Sequence, residues 1–153
     1  PPVNVAGWYF PVEVDPTWVD AAAMAGALAG LPRPLWISVY DNSNIGPEAL
    51  ASSLQRWLPR DVGVFFQDGV GVHAREARVA ADYMRVLSER LGRERVRLIA
   101  EAFRPRTGGG FRAATPEELR PQLAAYAGWP VYLFETRYVG PQLVEALARD
   151  GVR

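Results

Sequence analysis

Residues 62–71 read VGVFFQDGVG. An unbroken apolar run, Val62 to Phe66, ends abruptly in Gln67-Asp68 and a glycine-flanked turn. Counted through Gln67, the run Val62–Gln67 is six residues, too few for a core helix, and it lacks the alternation of a strand with one wet face. It predicts a strand covered on both faces, the kind found in parallel sheets. The same unit recurs along the chain. Val3–Phe10, Leu35–Tyr40, Val96–Phe103 and Val131–Thr136 are further apolar, β-branched or aromatic runs that end in polar residues.

Between these runs lie helical patterns with legible starts and stops. Asp15-Pro16 gives an N-cap followed by proline at the first helical position, leading into a predicted helix over Trp18–Ala29. Gly46-Pro47-Glu48 opens a second helix with Leu50, Leu54, Trp57 and Leu58 on one side. A third carries Ala77, Ala81, Met84, Leu87 and Leu91 and stops at Gly92, which is expected as a left-handed cap. Thr115-Pro116-Glu117-Glu118 spells a capping box before the stripe Leu119, Leu123 and Tyr126, with Gly128 as the stop. Gly140-Pro141 opens the last helix. The segment RPRTGGGFRAA, 104–114, reads as a flexible glycine-rich excursion after the fourth strand. Strand and helix thus alternate five times over 1–153, which predicts one α/β domain, a (βα)5 unit with a parallel sheet and right-handed crossovers.

Composition narrows the chemistry. A chain of 153 residues with 49% hydrophobic content can bury a sizeable core. The formal charge is zero and the 17 cations, all arginine, are interspersed with 17 acids, so neither nucleic acid nor a membrane surface is an expected partner. Without lysine there is no Schiff base and no phosphate-loop lysine. Without cysteine there is no disulfide, thiol nucleophile or cysteine zinc site. A single histidine, His73, rules out two-histidine metal motifs and leaves a Ser-His relay without support, so no metal and no cofactor are expected. The run AAAMAGALAG is too short to span a membrane. The chain opens on PPVNV rather than on methionine, which reads as a piece of a longer or processed protein, and its compartment stays open.

In a parallel βα fold the carboxyl ends of all strands share one face, and that face carries the chemistry. There the sequence places Glu13, Asp41 with Asn42 and Asn44, Gln67 with Asp68, Glu101, and Glu135 with Arg137. Carboxylates and amides around one mouth suit acid/base work on a polyhydroxylated substrate, with one carboxyl protonated and another ionised. Trp8, Tyr9, Trp18, Trp36, Tyr40 and Tyr138 offer flat faces for sugar rings, or else pack in the core. Each polar candidate has a plainer reading as well. Glu13 follows Pro11, which fits a strand end, and competes with a loop carboxylate that caps the next helix. Glu101, inside LIAEAF, is either functional or paired with Arg97 or Arg104. Glu135 has Arg137 beside it, Asp68 can shape its own turn, and His73 reads as a surface residue. GVGVHA, 69–74, matches a loose dinucleotide fingerprint, yet Asp68 puts negative charge where a pyrophosphate would sit.

Taken together, VAGWYFPVEVD, PLWISVY, VFFQDGVGVH, RLIAEAFRP and VYLFETRYV resemble, in order, a bacterial domain family of unknown function with glycosidase-like TIM barrels. The resemblance covers nearly the whole chain. It implies that the five strands are strands four to eight of a (βα)8 barrel, with strands one to three supplied by a missing N-terminal segment or a second copy. It further implies a carbohydrate substrate, Glu13 as acid/base, Glu101 as nucleophile, and an extracellular or periplasmic setting. Asp41, Gln67, Asp68 and Glu135 would hold hydroxyls and Tyr138 would stack. Val12 stands where the related glycosidase clan keeps an asparagine. A non-catalytic carbohydrate-binding or scaffold barrel is the first alternative. An open five-stranded flavodoxin-like sheet binding a nucleotide at the QDGVGVH loop is the second.

Overall fold

The computed structural model describes residues 3–149 of an α/β chain. Strands β1 (Trp8–Val14), β2 (Leu35–Val39), β3 (Val62–Gln67), β4 (Val96–Glu101) and β7 (Val131–Phe134) form one parallel sheet in the order β1-β2-β3-β4-β7. Helices α1 (Met24–Ala29), α2 (Pro47–Trp57), α3 (Ala77–Leu91), α4 (Pro116–Ala124) and α5 (Pro141–Arg149) follow those strands in turn. Strands β5 (Phe103–Pro105) and β6 (Phe111–Ala113) form a separate antiparallel pair. The parallel sheet is open and five-stranded, and its strands lie in sequence order. The flavodoxin-like order 2-1-3-4-5, with its switch point, is a different winding.

Chain contacts group the residues into two compact units. The first runs through Phe66 and takes Tyr83–Arg97; the second takes Gln67–Asp82 and the chain from Leu98 onward. In the first unit, β2 and β3 pair from Leu35↔Val62 to Val39↔Phe66. Leu35, Ile37 and Val39, with Val62, Val64 and Phe66, are sealed, whereas Trp36 and Phe65 on the opposite face are only partly buried. The expectation of strands covered on both faces holds in part: Ser38, Gly63 and Gln67 on the second face are buried too, while Trp36 and Phe65 keep some exposure. Strand β1 goes further and is exposed along most of its length. Trp36 lies flat over Gly63, where an added Cβ would stand 2.2 Å from the indole, and the Arg97 guanidinium stacks on the same indole at 4.4 Å. In the second unit Ala102, Ala114, Leu119, Leu143 and Leu147 make the core, with Leu123, Leu133 and Val139 packed against it.

Several local expectations shift. The first strand begins at Trp8 rather than Val3, so Pro11 lies in its middle. An edge strand tolerates this, and the register with β2 is irregular between Tyr9 and Glu13. Asp15 does not cap a long helix. Its carboxylate accepts from the Thr17 amide at 2.8 Å, the Trp18 amide returns to the Asp15 carbonyl, and α1 starts only at Met24 after a short 3-10 turn. The supposed flexible excursion is the β5–β6 hairpin, with Phe103 and Phe111 rings 4.8 Å apart. Gly92 ends α3 at φ 104° and ψ 132°, a positive φ but not a left-handed helical cap. The capping box at Thr115 has both halves in place.

Candidate functional site

In the second unit the functional candidates gather at the ends of β3 and β4. Glu101 is the last residue of β4, on the same face as Arg97 and Ile99 by strand alternation. Its side chain has no exposed surface. Gln67 Nε2 donates to Glu101 Oε1 at 2.8 Å, and the Val72 amide donates to Oε2 at 3.0 Å. Gly71 closes over the carboxyl: a Cβ there would stand 2.6 Å from the Glu101 Cβ and 2.9 Å from Oε2. Burial pushes the Glu101 carboxyl up, the Gln67 amide draws it back, and the neighbouring Asp68 pushes it up again. Neither expected arginine pairs with it. Arg97 stacks on Trp36, and Arg104 donates to the carbonyls of Glu101, Phe103 and Glu118.

Asp68 is also fully buried and is gripped from two sides. Oδ1 accepts from the amides of Val70 and Glu101, both at 3.1 Å. Oδ2 accepts from Gln122 Nε2 at 2.6 Å and from the Tyr126 hydroxyl at 2.7 Å. Burial raises its carboxyl, and these donors, Tyr126 foremost, pull the other way. It therefore shapes the turn and also binds α4, leaving no open side toward a substrate. The glycines of the nucleotide-like GVGVHA segment belong to this turn, and α3 begins only at Ala77.

Glu135 and Arg137 form an ion pair beyond β7, and the hydrogen bond to Glu135, then its charge, hold the Arg137 guanidinium above its usual range. Tyr138 packs against Phe103 at 5.4 Å. On β7, Tyr132 and Phe134 pair with Ile99 and Glu101, and both rings are exposed. His73 is an exposed turn residue at φ 59°. It borders a cavity of about 600 Å³ that Arg75, Arg104, Glu118 and Gln122 also line.

The first unit holds the other two candidates, in opposite settings. Asp41 is fully buried; its carboxylate accepts from the Tyr83 hydroxyl at 2.6 Å and from the amides of Ile45 and Gly46. Those bonds fix the approach to α2. Glu13, next to last in β1, is exposed, and no hydrogen bond or ion pair engages its side chain among the described residues. Partial burial, and then the Asp15 carboxylate, push its carboxyl up. Beside it Tyr9 donates to or accepts from Ser38 at 2.7 Å, and Ser38 donates to the Val12 carbonyl.

Sequence reading missed Gln122 and Tyr126. The available signal was an amide on the buried stripe that runs from α4 into the turn after it: Leu119, Gln122 and Tyr126 stand at i, i+3 and i+7, all buried. A polar group on such a stripe requires a buried partner. Among the described residues no cluster of metal-ligating side chains is found, and no helix is long and apolar enough to cross a membrane. Comparison with protein-family models, with curated proteins and with solved structures yields no match.

Proposed function

We propose that this chain belongs to a glycosidase-type βα barrel that acts on a carbohydrate, with Glu13 as its proton donor. The observation that carries the reading is the state of Glu13. It is a strand-tip carboxyl, open to solvent, free of any cation among the described residues, and pushed toward its protonated form. A general acid for glycosidic oxygen needs those properties. Glu101 is the second carboxyl. It would attack the anomeric carbon as the leaving oxygen is protonated, and water would later release the sugar. For that step the Gly71–Val72 turn must yield, because Glu101 is sealed beneath it. Exposed Tyr132 and Phe134, beside Ile99 and Glu101, suit stacking against sugar rings, and Gln67 suits a hydroxyl. Consecutive strand order is the winding of a barrel arc, so three further βα units, from a longer protein or a second copy, would close the ring.

The complete burial of Glu101 favours a second reading, a non-catalytic carbohydrate-binding barrel in which Glu101 is purely structural. A hydrolysis and binding screen over polysaccharides with wild type, E13Q and E101Q separates the two. Hydrolase chemistry requires turnover that falls by about 10²-fold or more in E13Q, with E101Q also impaired. Binding without turnover, retained in both variants, selects the second reading. Neither turnover nor binding removes both.

A further inference from the structure

We infer that Asp68 is a positioning residue for Glu101, gripping it through its own peptide group; the functional weight of this role rests on Glu101 being the second carboxyl proposed above. Glu101 ends β4, where a strand tip ordinarily frays. Here both of its backbone groups are held by side chains. Asp68 Oδ1 accepts its amide at 3.1 Å, while Arg104 Nη1 and Gln122 Nε2 donate to its carbonyl at 3.2 and 3.3 Å. All three side chains are interlocked. Gln122 Nε2 also donates to Asp68 Oδ2, and Gln122 Oε1 accepts from Arg104 Nη2 at 2.6 Å, which fixes the orientation of the amide between cation and anion.

Asp68 reaches the Glu101 side chain as well, through two routes. It follows Gln67, the donor to Oε1, and its own amide is tied to the Ile99 carbonyl at 3.0 Å, which sets the β3 end against β4. Its Oδ1 also holds the Val70 amide, which shapes the turn that brings Gly71 and Val72 onto Oε2. One residue therefore reaches the Glu101 backbone and both routes to its carboxyl, its carboxylate acting on the Glu101 amide and on the Val70 turn, its backbone on the β3 end. Aspartate suits the place because four donors need four lone-pair sites on two oxygens. An asparagine has one oxygen and would turn an N–H toward donors already present.

The test is made on the full chain by carbon NMR titration of the Glu101 carboxyl and by hydrogen exchange of the Glu101 amide, in wild type, D68N and Y126F. The groups facing Glu101 within its unit are Asp68, Gln67, the Tyr126 hydroxyl, the Gly71 and Val72 amides and, at its carbonyl, Arg104 and Gln122. In D68N the Glu101 midpoint is expected to fall, since a neighbouring negative charge is gone. Exchange of the Glu101 amide is expected to quicken by about tenfold or more, the loss of one hydrogen bond to a charged acceptor. A purely structural Asp68 would lower the melting temperature and, through its lost charge, the midpoint, without quickening exchange of the Glu101 amide beyond that of the other β4 amides. Y126F removes one donor from Oδ2 and leaves the charge, so Glu101 amide exchange rises by a smaller factor; where D68N does not fold, this variant decides. An unmoved midpoint and unmoved Glu101 amide exchange in folded D68N, or unmoved exchange in Y126F, overturn the inference. If those signals move while wild type turns over no carbohydrate, positioning stands and the hydrolase reading falls. If E101Q abolishes turnover but D68N leaves midpoint, exchange and rate unchanged, positioning alone falls.

Discussion

Glu13 and Glu101 occupy matching places in their strands, next to last in β1 and last in β4, yet their surroundings are opposite. Glu13 sits on an edge strand with an irregular register and a proline two residues before it, and nothing among the described residues engages its side chain. Glu101 sits on an inner strand, where the β3 end and its following turn supply an amide side chain and backbone donors at hydrogen-bonding distance. Both carboxyls are pushed up, and in both the leading cause is burial, partial at Glu13 and extensive at Glu101. The lesson is that a carboxyl at a strand tip has no fixed role. Whether a neighbouring strand lies beyond it decides if it stays open to solvent or is enclosed by hydrogen-bond donors.

Substitutions should separate the two, beginning with the largest effect. E101A strands Gln67 Nε2 and the Val72 amide without an acceptor and is expected to cost about 3 kcal/mol in chemical denaturation. G71A places a methyl 2.6 Å from the Glu101 Cβ and 2.8 Å from the Phe103 carbonyl. Because backbone cannot retreat like a flexible side chain, it should cost about 2 kcal/mol. E13A is expected to stay within about 0.5 kcal/mol of wild type. A cost at Glu13 as large as that at Glu101 would erase the contrast.

The pH dependence sharpens it. The Glu101 carboxyl is held above its ordinary value in the folded state, so its contribution is fully present below the ordinary carboxyl range and is lost as pH rises through the raised folded value. Stability of wild type relative to E101Q should therefore decline as pH rises across that window, measured by urea midpoints. Glu118 provides the opposite sign. Its ion pair with Arg112, aided by the Thr115 amide, pulls its carboxyl from 4.5 to about 2. Its contribution is present above 4.5 and is lost as pH falls toward 2, so E118Q should flatten the acid limb of the stability curve. This pair is partly exposed, so the effect is the smallest of the series and should shrink further in salt.

Much of the sheet was legible because apolar runs bounded by Pro and Gly carry strong local signals. Val62–Gln67 and the start of α2 at Pro47 fall where the sequence puts them, as does the capping box at Thr115. The misses have a common cause in non-local geometry. Val3–Phe10 contains as many apolar residues as a strand needs, but only Trp8 onward finds β2 to pair with. The glycines at 108–110 suggested looseness, whereas Phe103 and Phe111 close them into a hairpin turn. At the site, residue types pointed to Glu101 as a charge that needed a partner and to Asp68 as a turn-shaping residue, but the side chains that hold the buried Asp68 were not legible. The partners were an amide and a phenol, Gln122 and Tyr126, 54 and 58 residues from Asp68, a distance no local motif spans.

The close seating of Trp36 on Gly63 ties the histories of two positions together. No side chain can arise at 63 while an indole remains at 36, and a smaller residue at 36 would open a hollow between β2 and β3 and strip Arg97 of its platform. Drift at either place is thus blocked unless both change at once. In any set of descendants of this chain the two columns should vary as a couple.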